Sequence, residues 1–257
     1  MQIIIISLVA LIVSCLSFFS GFGLGTLLLP AFVVFFPLDT AIALTAIVHL
    51  LNNILKFSIL WKNVKWDIVI RFGLPAFFAS FLGAKALFWV NQFPPFYAYH
   101  WLGKEMTLTW VKLIISVLMI VFVFLELMPV FKKISFPSKF LLLGGVVSGF
   151  FGGLSGHQGA LRSMFLLKCG LTKEAFVATG VVIACLVDFS RLAVYWEYLL
   201  KFQYQNYLGL MIAAILSAFI GVLVGNQLIK KITMKTIQVI VSCMLLAIAL
   251  LLGAGII

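Results

Sequence analysis

Apolar stretches long enough to cross a lipid bilayer follow one another along almost the whole of this chain, with its few charges gathered between them. A soluble domain is about half apolar and about a quarter charged. Here 64% of 257 residues are hydrophobic and 10% are charged, more apolar surface than a single soluble core can hide. The chain therefore reads as an all-α integral membrane protein. Met1-Gln2-Ile3 supplies no basic leader, so the first twenty residues read as part of the mature fold.

Six ordinary spans are predicted, near 39–60, 67–90, 110–131, 172–196, 206–228 and 236–256, each close to the ~20 residues a crossing needs. Two apolar units, 2–36 and 139–169, are too long for one crossing. Each contains a glycine-dense motif, Ser20-Gly21-Phe22-Gly23-Leu24-Gly25-Thr26 in the first and Ser148-Gly149-Phe150-Phe151-Gly152-Gly153-Leu154-Ser155-Gly156-His157-Gln158-Gly159 in the second. Glycine weakens a helix by roughly 1 kcal/mol relative to alanine, so both clusters are expected to break their helices into hairpin or re-entrant units. Broken helices at matching places in two halves point to a transporter's binding site.

Charge placement sets the expected orientation. Lys62, Lys65, Lys132, Lys133, Lys139, Lys168, Lys173, Lys230, Lys231 and Lys235 fall in loops of one side, against Lys104 and Lys201 on the other. By the positive-inside rule the first side is cytoplasmic. That holds only if each glycine unit returns to its starting side, and it leaves both termini outside. Residues 1–138 and 139–257 then form two inverted repeats of one membrane domain, each a glycine-broken unit plus three transmembrane helices. Asn53 and Lys56 align with Asp188 and Arg191. The net charge of +11 is read as this orientation signal, with no nucleic-acid partner implied.

Candidate site residues cluster in two places. Around the second glycine unit, His157, Gln158 and Arg162, with amides at Gly156 and Gly159, would cradle an oxyanion: a helix starting near Ser155–Gly156 offers free N–H groups, and arginine grips oxyanions bidentately. The first unit contributes Gly23, Gly25 and Thr26, amides and a hydroxyl without charge. Arg162 could instead pair with Asp188 or Glu174 and merely tie helices together. In the span 39–60, His49, Asn52, Asn53 and Lys56 share one helical face. They would line the path, with Lys56 alternatively snorkelling to the interface. His49 is a proton carrier or a satisfied interior histidine. Asp188 and Arg191 read as a structural pair or as part of proton coupling or gating. Lys85, Arg71, Lys112 and Glu126 are predicted interfacial anchors, and Trp61, Trp66, Tyr97, Tyr99, Trp101, Trp110, Tyr195 and Trp196 an aromatic belt.

Cys15, Cys169, Cys185 and Cys243 show neither metal nor disulfide spacing and read as small buried hydrophobes. No metal site, no cofactor and no catalytic motif is found, so the chain is not expected to be an enzyme. Without an ATP site, pumping would need an ion gradient.

With Ser20-Gly21-Phe22-Gly23-Leu24-Gly25 and Ser148-Gly149-Phe150-Phe151-Gly152-Gly153 in place, and Thr45 and Thr179 in the helices that follow, the chain resembles the sulfite exporter TauE/SafE family, also called the toluene-sulfonate uptake permease family. The first motif lacks the closing Gly-Gly, and the second carries Gly-His-Gln-Gly in place of a plainer glycine run. The resemblance implies a secondary transporter of a sulfur-containing or other small organic anion, of the sulfite, sulfonate or sulfoacetate class, in the bacterial inner membrane. Alternating access is the expected mechanism, with proton coupling through His49 or Asp188 the favoured form. A passive anion channel and a carrier of another solute are the alternatives. The expected partners are the anion and the lipid bilayer, and a homo-oligomer is left open.

Overall fold

The structure, a computed structural model, describes residues 2–20, 24–101, 103–127, 135–201, 207–228 and 234–257. Its helices are α1 (Gln2–Ser20), α2 (Leu24–Val33), α3 (Leu38–Leu60), α4 (Trp66–Val90), α5 (Trp110–Leu127), α6 (Leu141–Ser155), α7 (Gly159–Leu166), α8 (Lys173–Lys201), α9 (Leu208–Leu228) and α10 (Met234–Gly253). Among the described residues, five helical segments are long and apolar enough to cross a membrane, and α1, α5 and α10 contain shorter apolar stretches. Within α4 a π-turn occupies Val69–Gly73, just before Pro75. Proline lacks an N–H and crowds the carbonyl four residues earlier, and a widened turn accommodates both effects.

Three glycines of the second motif do something other than break a helix. Gly149, Gly152 and Gly153 lie inside the continuous α6. Gly145, Gly149 and Gly153 form one stripe at intervals of four, pressed against α4. A Cβ on them would fall 2.2, 2.3 and 2.0 Å from the carbonyl oxygens of Phe72, Ala76 and Ser80. Gly83 of α4 returns the contact, its missing Cβ 2.0 Å from the Phe150 carbonyl oxygen. Side chains this small let two membrane helices touch backbone to backbone. The break itself comes later, at Gly156, whose φ of 80° ends α6 in the left-handed region and suits glycine.

Beyond the break, α7 folds back along α6. The Ser148 hydroxyl donates to the Gln158 carbonyl at 3.2 Å, and the Phe165 ring fills the space beside Gly144. At the open end the Phe136 N–H donates to the Met164 carbonyl at 3.0 Å. The segment thus enters and leaves at the same level, as a hairpin.

Helix pairing repeats across the molecule. α1 packs on α9 as α6 packs on α4; α3 packs on α9 as α8 packs on α4; and α3–α8 and α5–α10 are central pairs. Exchanging the first five helices for the second five leaves this pattern unchanged. α3 and α8 run antiparallel, with His49 beside Asp188 at one level and the Lys65 N–H donating to the Thr179 hydroxyl at another.

One element was not anticipated. Tyr97–Trp101 and Lys104–Leu108 form an antiparallel β-hairpin turning at Gly103, φ 73°. It is fastened to the end of α10 by the Tyr99 hydroxyl, which donates to the Ala254 carbonyl at 2.6 Å.

Candidate functional site

His157 and Gln158 occupy the break between α6 and α7, and Arg162 stands one turn into α7; all three are buried. The helix starts at Gly159, a few residues later than expected. Both Gln158 amide atoms, His157 Nε2 and Arg162 Nη1 lack any hydrogen-bond partner. Buried polar groups are nearly always paired, so four open atoms within six residues single out this place. The Arg162 guanidinium lies over Gly180 of α8, where a Cβ would be 3.3 Å from Nε. It is within electrostatic reach of Lys56, Asp188 and Cys185.

The pairing of Arg162 with Asp188 or Glu174 does not form. Glu174 is exposed at the start of α8, and Asp188 is taken by others. Its Oδ2 lies 2.5 Å from His49 Nδ1. Its Oδ1 lies 2.8 Å from Arg191 Nη2, an ion pair by distance whose N–H is not aligned on the oxygen. Because a carboxylate only accepts, His49 Nδ1 carries the hydrogen. Asn53 Nδ2 lies 3.2 Å from His49 Nε2 and 3.3 Å from Nδ1, straddling the two ring nitrogens.

The rest of the α3 stripe is also buried. Lys56 does not snorkel: Nζ donates to Ser17 of α1 at 2.9 Å. The Ser14 hydroxyl lies 2.8 Å from Asn52 Oδ1 and 2.6 Å from the Ala218 carbonyl. It has a single hydrogen for the two, and one Asn52 amide atom stays open in any arrangement.

Lys56 and Arg191 hold equivalent posts. Lys56 reaches Ser17 in the last turn of α1. Arg191 Nη1 sits 2.7 Å from where a Gly156 Cβ would be, at the end of α6. Both cations meet the negative end of a helix. Among the described residues the lysine, arginine and aspartate side chains buried here are Lys56, Arg162, Arg191 and Asp188. Three formal positive charges and one negative leave a formal excess of two.

Ser14, Ser17, Gly180 and Cys185 were missed. Their signal was faint: two serines three apart on an apolar helix, and a glycine inside a long one. The cysteines are not uniformly buried hydrophobes, since Cys15, Cys169 and Cys185 are half-buried and Cys243 is exposed. Tyr195 is no interfacial anchor: it is buried, and its hydroxyl donates to the Gly153 carbonyl at 2.8 Å. Arg71 and Lys85 are exposed, whereas Lys112 Nζ donates to the Thr107 carbonyl. Gly23 lies outside the described residues. Gly25 and Thr26 fall in α2, in a stretch whose side chains, like that of Glu126, are outside the description.

A family model described as "Sulfite exporter TauE/SafE" matches residues 6–252. No curated protein and no solved structure matches the chain.

Proposed function

The chain belongs to the sulfite exporter TauE/SafE family, and from that premise we propose that it is a secondary transporter of a small sulfur-containing or organic anion. The observation that carries this reading is the excess of buried positive charge beside open polar atoms. A buried charge left uncompensated is costly, and an ionisable residue inside a membrane marks a substrate path more often than not. An oxyanion seated between Arg162, Gln158 and the first amides of α7 would supply the missing negative charge. Arg162 is the cation to meet it, since Lys56 and Arg191 already have Ser17 and Asp188.

The exchangeable helix pairing and the antiparallel α3–α8 contact support residues 1–138 and 139–257 as inverted repeats. Rocking one against the other would expose the site alternately. The His49–Asp188 contact holds a hydrogen between a base and an acid, which supports coupling to a proton. The lysine-rich loops support an inner-membrane orientation with both termini outside.

Uptake of labelled sulfite and of a short-chain sulfonate into proteoliposomes tests the reading, with Arg162→Ala as control. Saturable uptake that shows counterflow and is lost in a folded variant is expected. Flux without saturation or counterflow would favour a channel, and equal flux in both proteins would remove Arg162 from the site.

A further inference from the structure

Two histidines are buried in this molecule, in the same tautomer and with opposite consequences. His49 donates from Nδ1 to Asp188, and its Nε2 is met by the Asn53 amide. His157 Nδ1 lies 3.0 Å from the Ser155 carbonyl oxygen. A carbonyl has no hydrogen to give, so Nδ1–H must donate, and the neutral ring carries its lone pair at Nε2. The ring is 2% exposed, and that nitrogen has no partner. Its orientation is fixed by that carbonyl and by the Phe122 ring of α5, which stacks on it with centroids 5.6 Å apart and planes 3° from parallel; the backbone N–H of His157 donates to the Ser155 hydroxyl at 3.4 Å.

Acceptors are the odd members of this cradle: His157 Nε2, which as a neutral ring nitrogen can only accept, and Gln158 Oε1, whose side chain also donates. The guanidinium of Arg162 and the amides at the start of α7 can only donate, as suits an anion. A bare oxyanion offers nothing to a lone pair, and the two would repel. An oxyanion that still carries a hydroxyl can meet both kinds of group, its oxygens accepting from donors of the site and its O–H donating to His157.

We infer that His157 Nε2 is the acceptor that reads a hydrogen on the substrate, so that the site takes its anion as the hydrogen-bearing form, hydrogensulfite rather than the sulfite dianion or a sulfonate. This rests on the anion-transport reading and narrows it. A site built to bond a hydroxyl rejects analogues that lack one far more strongly than an apolar pocket rejects an extra group. Among the described groups, the charge within electrostatic reach of His157 is Arg191 of α8. Phe122 from α5 and Ser155 from α6 bring no charge. The labelled methanesulfonate control below accounts for any effect of pH that arises at the His49–Asp188 pair.

The test is initial uptake of labelled sulfite into proteoliposomes at fixed total sulfite, across its second ionisation. Methanesulfonate, a monoanion without an acidic hydrogen, serves as competitor and, when labelled, as a pH control that does not titrate. Wild-type uptake, corrected by that control, should fall with the hydrogensulfite fraction, and methanesulfonate should compete poorly. His157→Leu, which keeps bulk against Phe122 but has no acceptor, should lose at least about tenfold of sulfite uptake and the discrimination with it. His157→Gln, whose Oε1 can stand in for Nε2, should keep the preference. Wild-type uptake that is level or rises with the dianion, or methanesulfonate competing as well as sulfite, would overturn the inference. Wild type taking up methanesulfonate but sulfite at no pH would also overturn it and leave anion transport standing. Uptake of neither would remove both.

Discussion

The two helix pairs α1–α2 and α6–α7 each pack together and differ in what they leave open. In the first half, the cation of the long helix, Lys56, is bonded to Ser17 near the end of α1. In the second half, Arg191 lies against Gly156 at the end of α6 and beside Asp188. Each of these cations has a partner, Lys56 by a hydrogen bond and Arg191 by an ion pair, while Arg191 Nε and Nη2 make no hydrogen bond. The short helices that follow are not equivalent: α2 carries no charged residue, while α7 carries Arg162 with an open Nη1. A scaffold built on paired elements can satisfy its own charges in pairs. The charge without a counterpart is the one available to a substrate.

The seam that holds the second hairpin offers the largest test. Gly153→Val would drive a branched side chain into the Ser80 backbone, where even a Cβ falls at 2.0 Å, and overpacking of that kind has no flexible neighbour to yield. No monodisperse protein is expected in detergent, whatever anion is added. Next is the shared carboxylate. Asp188→Ala leaves His49 and Arg191 without their acid, and removing one partner of a buried pair costs about 3–5 kcal/mol, to be read as a drop in Tm.

Arg162→Ala should leave the fold in place and cut anion uptake about 100-fold, as losing a charge-assisted contact in a buried site does. Lys56→Met should cut it less, about tenfold, because Lys56 already has a hydroxyl partner. Equal losses in those two variants would break the asymmetry argued above. The smallest effect belongs to Gly180→Ala. Its Cβ would sit 3.3 Å from Arg162 Nε, close enough to nudge the guanidinium, and a rise of a few-fold in KM with kcat unchanged is expected.

Much of this was legible in the sequence because a membrane leaves a chain few choices. Polar residues at 49, 52, 53 and 56 in an apolar span had to share a buried face, and they do. The break at Gly156–Gln158 could be read from a glycine run followed by His and Gln. Glycine alone does not say whether it breaks a helix or lets another approach, and the stripe Gly145, Gly149 and Gly153 could be told from a break only by its spacing of four. Partner choice was the harder part. The sequence offers Asp188 two cations, Arg162 and Arg191, and its contact with His49 depends on how α3 meets α8, which no local pattern encodes. The β-hairpin escaped because Tyr97 to Leu108 is short, aromatic and flanked by helices, and was read as interfacial loop.

The most direct test of the central claim is the Tm of purified wild type and Arg162→Gln during titration with sulfite and with a short-chain sulfonate. A ligand that binds only the folded state raises Tm with concentration. Wild type is expected to be stabilised saturably by sulfite. Arg162→Gln, relieved of an uncompensated buried charge, should be at least as stable without anion and insensitive to it. A variant that is stabilised by the anion as much as wild type would contradict the account, because the excess charge at Arg162 would then have no part in holding the substrate.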